Sequence, residues 1–278
     1  MVHSMSAMAS IDTVLDNLTA VVVTGGSSGI GKSFIEHIGR LRPSVRFCNL
    51  SRTRPSFASG QLNVRHIPCD LTDRAAFPGM VAEVLDFLKL DAPDGGILLI
   101  NNSGFGLYGT FPQPSADQHR TLLDLNVGAV LDLTAALLPA LRARGGAVVT
   151  VASTAAFQPT PYLAAYGATK AFVLHWSLAL NEELRGTGVY ALAVCPGPTA
   201  TDFFRRAGFG LNRVTGPLQS ADDVVREAWQ ALASGRSLVV TGWRNRLMTT
   251  LSSALPKPWV ARIARRILAR TRLPKESA

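Results

Sequence analysis

The 278-residue sequence predicts an α/β domain in which helices cover both faces of a parallel sheet. Short, nearly continuous apolar runs alternate with longer stretches of helical spacing, as expected for strands that are buried on both faces. The hydrophobic content of 47% is enough for one large core. The predicted strands are 20–24, 45–50, 64–68, 97–101, 147–153, 190–195 and 237–241, and the predicted helices are 29–41, 73–90, 116–143, 162–185 and 221–234.

The first strand leads into a glycine-rich turn. Residues 20–24 are apolar, residues 25–31 read Gly-Gly-Ser-Ser-Gly-Ile-Gly, and helical spacing follows. Strand, glycine turn and helix form the first unit of a nucleotide-binding βαβ fold. The glycines let the backbone approach a pyrophosphate, and the helix N-terminus offers unpaired N–H groups. We therefore predict a Rossmann-type doubly wound sheet in a single domain.

The same turn also fits the phosphate loop of NTPases. Residues 26–33 match G-x-x-x-x-G-K-[ST], in which Lys32 would contact phosphates and Ser33 would hold magnesium. Such enzymes also need a metal-binding aspartate at the end of a strand. Only Asp70 ends a candidate strand, and Pro68 makes that run a poor central strand. The sequence therefore disfavours this alternative, and Lys32 is then an ordinary first-turn residue.

A second pattern concerns proton transfer. Tyr166 and Lys170 are one helical turn apart, so the phenol and the ammonium can project from one helix face. A nearby ammonium favours phenolate, so we expect Lys170 to lower the pKa of Tyr166 towards working pH. Ser153, delivered from a preceding strand, could hold a substrate oxygen. Alone, this spacing is more typical of an ordinary helix surface, so it depends on its context.

In that context the chain resembles the short-chain dehydrogenase/reductase (SDR) family over about residues 20–242. Several motifs occur in the family's order, and together they are specific. These are Thr24-Gly25-x-x-x-Gly29-x-Gly31, Asp70-Leu71, Asn101-Asn102-Ser103-Gly104, Asn126, the Ser153/Tyr166/Lys170 set and Pro196-Gly197-Pro198-Thr199. Ser103 replaces the alanine that is usual in the family.

The resemblance implies the strand order 3-2-1-4-5-6-7, a homodimer or homotetramer, and hydride transfer that interconverts a ketone and a secondary alcohol. Tyr166 is the implied acid/base, Lys170 lowers its pKa and binds the nicotinamide ribose, Ser153 orients the substrate oxygen, and Asn126 fixes a water that relays protons. The implied cofactor-binding residues are Thr24, Gly25, Ser27, Ser28, Gly29, Ile30, Gly31, Ser51, Arg52, Asp70, Leu71, Asn102, Gly104, Tyr166, Lys170, Pro196, Gly197 and Thr199. A catalytically silent NADP(H)-binding sensor or scaffold remains the alternative.

The second strand indicates which cofactor is used. Rossmann folds that prefer NAD place an acid after this strand, whereas an arginine accommodates the 2′-phosphate of NADP. Here Ser51 and Arg52 follow an apolar run without an acid, so we predict NADP(H); the alternative is a plain surface arginine. Residues 53–63 form a shorter connection than is usual in the family.

The predicted substrate is a small apolar carbonyl or alcohol with an acyl, steroid-like or aryl group. Three segments are expected to line its pocket, and aromatic and aliphatic side chains dominate them. They are residues 104–111, residues 201–209, and the group Phe157, Pro159, Pro161 and Tyr162.

The C-terminal extension, residues 243–278, follows a lead at 1–19 and the catalytic domain at 20–242. From Arg244 onwards it contains nine Lys or Arg and one acid, which gives +8 of the chain's formal net charge of +9. Residues 259–270 have apolar residues on one face and arginines on much of the rest, and Leu247, Leu251 and Leu255 form a second stripe. Such helices either lie on an anionic membrane or pack on the domain or a partner subunit. One aromatic residue and no nucleic-acid motif argue against binding to nucleic acid.

The remaining features indicate a cytoplasmic protein. Cys48, Cys69 and Cys195 form an odd set without metal spacing, so we expect buried, reduced thiols and no metal site. We see no secretory signal in the sequence and no apolar run long enough to span a bilayer. Pro139 is expected to kink or break its helix.

Overall fold

A seven-stranded parallel sheet forms the centre of the computed structural model, which describes residues 11–57, 62–207 and 218–269. The strand order β3-β2-β1-β4-β5-β6-β7 confirms the predicted doubly wound topology. The strands are β1 Leu18–Thr24, β2 Arg46–Ser51, β3 Val64–Pro68, β4 Gly96–Asn101, β5 Gly146–Val151, β6 Val189–Cys195 and β7 Leu238–Val240.

Helices follow the strands as predicted, and most of their ends agree with the sequence to within a few residues. They are α1 Ile11–Asp16, α2 Gly29–Leu41, α3 Phe77–Leu90, α4 Ala116–Leu123, α5 Ala129–Arg144, α6 Ala164–Glu183, α7 Phe203–Arg206, α8 Ala221–Ala233, α9 Trp243–Ala254 and α10 Lys257–Ala269. Helix α3 begins four residues after its predicted start because the Asp73 carboxylate accepts the backbone N–H groups of Ala75 and Ala76 and forms a turn.

Two apolar layers hold the helices on the sheet. Alternate residues of β1 serve the two layers, since successive side chains in a strand point to opposite faces. Val21 and Val23 pack with α2 and α8, whereas Ala20 and Val22 pack with α3, α5 and α6. All four are fully buried, so the carboxyl end of β1 is held rigidly beneath the glycine turn.

Pro139 was expected to kink or break its helix, and it does not break it, because α5 runs from Ala129 to Arg144. Pro139 and Ala135 are both exposed, so water can satisfy the carbonyl that loses its partner, while Leu133 and Leu137 anchor the opposite face. The irregular turn lies earlier, in a π-helical segment, Asp124–Gly128, between α4 and α5.

Together, α4, the π turn and α5 form a helix of 29 residues that by length and composition could cross a membrane. Its inner face is buried against the sheet, and Leu133, Leu137 and Leu141 have no exposed surface. We therefore interpret it as a core helix of the domain.

Both ends of the described chain pack on the domain. Ile11, Val14 and Leu15 of α1 join the core, which thus extends into the predicted N-terminal lead. Helices α9 and α10 form the described part of the C-terminal extension. The Lys257 ammonium donates to the Phe157 carbonyl, and the Tyr108 hydroxyl donates to the Leu268 carbonyl at 2.8 Å.

Candidate active site

The glycine turn joins β1 to α2 at the carboxyl edge of the sheet. Gly25 and Gly29 have positive φ angles, +70° and +54°, which favour glycine. A Cβ on Gly31 would stand 2.5 Å from the Gly25 carbonyl and from the Asn102 amide, so only glycine fits there. Ser28 is the N-cap of α2, and its hydroxyl makes no capping bond. The turn therefore has a shape that could hold phosphate groups against the N-terminus of α2.

Hydrogen bonds fix this turn to the end of β4. The Thr24 hydroxyl accepts the backbone N–H groups of Asn102 and Ser103, both at 2.9 Å. In return, the Asn102 side-chain amide donates to the Thr24 carbonyl at 2.9 Å. The two motifs that the resemblance placed at the cofactor are thus one hydrogen-bonded unit.

Asn49 is a positioning residue that the sequence analysis missed. Its carboxamide oxygen accepts the Gly26 N–H at 2.8 Å, and its nitrogen lies 2.9 Å from the Ser51 hydroxyl. Asn49 is fully buried in β2, so it fixes the glycine turn from below. The signal was present, because a lone amide in an apolar strand must find a hydrogen-bond partner.

Arg52 follows β2 and is exposed. Its side chain is 77% exposed, and its guanidinium lies 4.0 Å from the Asp70 carboxylate. Asp70 accepts the backbone N–H and the hydroxyl of Thr72, and these bonds keep its pKa below the ordinary value. Ser51 is less available than predicted, because its hydroxyl donates to the Thr53 carbonyl at 2.8 Å.

Leu71 and Ile30 both direct their side chains into the domain. Leu71 is buried in the layer formed with α3, and Ile30 packs on the layer formed with α2. Their side chains therefore support the neighbouring backbone. Any contact with a cofactor at these two positions falls to the main chain.

The placement of Lys32 and Ser33 argues against the NTPase alternative. The Lys32 ammonium lies 3.8 Å from the Glu36 carboxylate and 6.0 Å from the centre of the Phe57 ring. Ser33 is buried, with 7% of its surface exposed. Neither side chain is placed to hold a nucleotide triphosphate and magnesium as a phosphate loop requires.

Tyr166, Lys170 and Ser153 come together at the carboxyl edge of β5. Ser153 follows β5 and caps a short 3₁₀ helix, Thr154–Phe157, with its hydroxyl 3.1 Å from the Ala155 N–H. Its hydroxyl also forms a hydrogen bond with Tyr166. The Lys170 ammonium lies 5.9 Å from the centre of the Tyr166 ring and donates to the Val151 carbonyl at 2.8 Å. The structure thus brings the predicted trio together.

The expectation that the pKa of Tyr166 lies below its ordinary value is wrong. Burial raises the pKa of Tyr166 to about 12, although the bond to Ser153 opposes this shift. Burial also lowers the pKa of Lys170 to about 8, and the nearby Cys195 opposes that shift. Desolvation is therefore the largest cause of both pKa shifts. The phenol stays protonated at neutral pH and is ready to act as an acid.

Asn126 lies in the π turn and joins two parts of the site. Its carboxamide bonds with both the N–H and the carbonyl of Phe105, at 3.1 and 3.0 Å, and donates to the Thr169 hydroxyl at 3.1 Å. Thr169 precedes Lys170 on α6. A Cβ on Gly104 would stand 3.0 Å from the Asn126 oxygen and 3.4 Å from the Lys170 nitrogen, so Gly104 leaves room above both groups.

The three cysteines are unpaired, as predicted, and two of them are buried. Burial raises the pKa of the Cys195 thiol to about 12. Since the thiolate is the nucleophile, burial disfavours the reactive form of Cys195. The pKa values of Cys48 and Cys69 are raised by burial as well.

The loop after β6 contains Pro196, Gly197 and Thr199. The Thr199 hydroxyl donates to the Gly197 carbonyl at 2.9 Å, and Thr199 pairs with Gln219 in an isolated bridge. Helix α9 packs closely against this loop. The approach is so close that a Cβ on Gly197 would stand 2.3 Å from the Asn245 amide. Sequence reasoning missed Asn245, which lies in the extension and has no pattern that links it to the loop.

An apolar cluster surrounds Tyr166. The Phe203 ring lies 5.3 Å from the Tyr166 ring, and the Tyr108 and Tyr162 rings are 5.8 Å apart. Tyr166 itself is only 7% exposed. The other members from the two predicted substrate segments are Phe105, Leu107, Phe204 and Ala207.

Two predicted pocket residues lie elsewhere. Phe111 is 82% exposed and stacks on His119, because the chain turns outwards after Gly109. Phe157 packs with the layer around Val173 and Ala156, on the other side of the 3₁₀ helix from the Tyr166 cluster. Residues 208 and 209 of the second segment lie outside the described residues.

Comparison with known proteins identifies the family. The model of the short chain dehydrogenases matches residues 19–208, which is more than half of the chain. The chain belongs to the short-chain dehydrogenase family. It is therefore an oxidoreductase, and the glycine turn, the Asn102 motif and the Tyr166 cluster described above all lie within the matched residues or contact them.

Three similar proteins place this short-chain dehydrogenase among its relatives. Serine 3-dehydrogenase of Rhizobium radiobacter is 33% identical over 194 residues, which cover 66% of this chain and 73% of the relative. A short-chain dehydrogenase from Sphingobium yanoikuyae, solved with NADPH, is 28% identical with a TM-score of 0.68, and the match covers 94% of this chain and 98% of that one. The bulky-bulky ketone specific alcohol dehydrogenase from Comamonas testosteroni is 27% identical with a TM-score of 0.66, and the match covers 94% and 97%.

Proposed function

We propose that this chain is a cytoplasmic NADP(H)-dependent oxidoreductase that interconverts a bulky apolar ketone and the corresponding secondary alcohol. The observation that carries the proposal is a buried Tyr166 hydroxyl group that lies beside Lys170 and in an enclosure of apolar side chains. A proton donor in an apolar enclosure suits reduction of a carbonyl that is itself apolar.

The residues present fit a nicotinamide dinucleotide. The glycine turn and the N-terminus of α2 would hold the pyrophosphate, and the space above Gly104 would take the nicotinamide ribose within reach of Lys170. Arg52 supports NADP(H) over NAD(H), because it is exposed and no acid occupies the end of β2. The NADPH complex of the similar Sphingobium enzyme also supports this choice.

When bound, NADPH supplies the hydride that reduces the substrate carbon. The protein supplies the proton and the electrostatic stabilisation of the developing charge. Ser153 donates a hydrogen bond to the carbonyl oxygen, where negative charge develops during the reaction. Tyr166 transfers its phenolic proton to that oxygen, which completes the alcohol, and the Lys170 ammonium stabilises the phenolate left behind. In oxidation, the phenolate removes the proton from the alcohol.

The aromatic cluster supports a bulky, apolar substrate. Phe105, Tyr108 and Phe203 gather around Tyr166, and the similar Comamonas enzyme acts on bulky-bulky ketones. Apolar rings favour ligands with large hydrophobic groups because contact removes both surfaces from water. We therefore assign aryl, steroid-like or long acyl ketones to this site as its substrate class.

The test is oxidation of NADPH by the purified protein against a panel of aryl, steroid and acyl ketones, with NADH in parallel. We expect turnover with at least one bulky ketone and a preference for NADPH. A protein that binds NADPH tightly but turns over no ketone or alcohol in the panel would contradict the reductase proposal and favour a silent sensor.

A further inference from the structure

The outer faces of α9 and α10 are unusually apolar. In the described part of the chain, fourteen large hydrophobic side chains are exposed, and eight of them lie in these two helices or at Leu255, the residue that caps the C-terminus of α9. They are Trp243, Leu247, Met248, Leu251, Leu255, Trp259, Ile263 and Ile267. A cluster of this kind is typical of an interaction surface, whereas scattered exposed apolar residues are ordinary.

The exposed apolar residues follow the helices as stripes. In α9, Leu247 and Leu251 are one turn apart, and the buried Thr249 and Ser252 face the opposite way, since each residue turns the helix by about 100°. In α10, Ile263 and Ile267 continue the line from Trp259, next to the buried Val260. Each helix is therefore fastened to the domain along one side and leaves a second apolar side uncovered.

Positive charge accompanies these stripes. Residues 243–269 contain six Lys or Arg and no acid. Arg246 pairs with Glu227 at 3.3 Å. Within the described residues, the guanidinium groups of Arg244, Arg262, Arg265 and Arg266 have no carboxylate within ion-pair distance. Arg244 instead lies over the Trp243 ring, 5.2 Å from its centre.

The charge decides between two partners. A second copy would bring the same surface onto itself in a symmetric dimer, so the unpaired arginines would oppose each other without acids. An anionic bilayer matches both features, because its headgroups attract arginine while its apolar layer takes Trp, Leu and Ile. Trp243 and Trp259 suit the boundary between these two regions.

We propose that α9 and α10 form a docking surface for an anionic lipid bilayer, on which the protein lies without spanning it. Contacts already described fasten this surface to the domain. Tyr108, a member of the Tyr166 cluster, bonds with Leu268, and Lys257 bonds with the carbonyl of Phe157 at the end of the 3₁₀ helix that Ser153 caps. If the substrate is as apolar as the proposed function requires, docking holds the Tyr166 cluster close to lipid. The surface itself does not depend on that function.

The test is co-sedimentation of the full-length protein with vesicles of phosphatidylcholine, with and without phosphatidylglycerol. We expect binding to the anionic vesicles that weakens as salt rises, and little binding to the neutral ones. The double substitution Leu251→Glu/Ile263→Glu is expected to weaken binding about tenfold or more, because two apolar groups no longer enter the bilayer. Leu90→Glu is the control, since Leu90 is 69% exposed and lies at the end of α3.

A second variant, Arg262→Glu/Arg266→Glu, tests the charge without touching the stripes. We expect it to lose most of its preference for anionic vesicles while its melting temperature is unchanged, because both arginines are exposed. Equal binding of all variants to anionic vesicles would overturn the proposal. A second result would also overturn the proposal: the parent protein does not bind vesicles, and Leu251→Glu/Ile263→Glu has a lower oligomeric mass by light scattering. That result would assign the surface to a second copy of the chain. Neither outcome would bear on the proposed function, which the NADPH-oxidation assay tests separately.

Discussion

Asn245 of α9 lies against Gly197, and a Cβ on that glycine would come within 2.3 Å of the Asn245 amide. The Asn245 nitrogen donates to the Thr241 carbonyl at 2.7 Å, so the amide is held in place and cannot easily move away. The extension is therefore built into the loop that follows β6. Geometry at the predicted nicotinamide site depends on a residue outside the family match, which ends at residue 208.

Gly197→Ala is expected to weaken NADPH binding about tenfold, because the added methyl group displaces the loop or α9. Titration of NADPH by fluorescence measures the effect. Asn245→Ala in the same chain removes the obstruction and is expected to restore most of the affinity. If the double variant binds as weakly as Gly197→Ala, the contact between the two side chains is not the cause.

Arg52→Ala is expected to weaken NADPH binding by about tenfold or more and to leave NADH binding nearly unchanged, because only NADPH has a 2′-phosphate. Stability is expected to stay the same, since the contact with Asp70 is long and exposed. Arg65→Ala is the matched control, because Arg65 pairs with Asp91 at 3.1 Å on the surface and lies near the other end of β3. Equal losses for both cofactors would contradict the assignment of Arg52.

The pKa of Lys170, lowered by burial to about 8, predicts the pH dependence of the reaction. The ammonium is charged below that pH and neutral above it, and the charged form stabilises the Tyr166 phenolate. We expect kcat/KM for NADPH, which reports the ligand-free enzyme, to be level below about pH 8 and to fall about tenfold per unit above it. A profile that stays level until pH 10 would show that Lys170 retains an ordinary pKa.

Phe203→Ala is expected to change the range of substrates. The Phe203 ring covers Tyr166 and also closes on Gly106, where a Cβ would stand 2.9 Å from the ring edge. Its removal enlarges the enclosure, so we expect kcat/KM to rise for the bulkiest ketones and to fall for small aryl ketones. Phe111→Ala is expected to change neither, because Phe111 is 82% exposed and faces away.

Much of the fold could be predicted because its physical signals are local. The apolar runs of β1, β4, β5 and β6 are buried on both faces, and the turn at Gly25–Gly31 has a conformation that needs glycine. Pro139 does not break α5, because this side of the helix is exposed and water can replace the backbone hydrogen bond that proline cannot form.

The site was less predictable where it depends on contacts between distant segments. Spacing brought Tyr166 and Lys170 to one helix face, but the direction of the Tyr166 pKa depends on burial by α7 and the residues around Phe105. Asn245 contacts its loop from the far end of the chain. Phe111 and Phe203 both lie in aromatic segments, so the sequence alone does not distinguish them. The path of the backbone leaves Phe111 exposed and places Phe203 beside Tyr166.

The central claim is that Tyr166 donates the proton during NADPH-dependent reduction. The most direct measurement is single-turnover oxidation of NADPH by a bulky ketone in the parent protein and in Tyr166→Phe, with the NADPH affinity of both measured first. We expect equal affinity and a loss of about two to four orders of magnitude in rate, which is the usual contribution of general acid catalysis. A Tyr166→Phe protein that reduces the ketone at the parental rate would contradict the account.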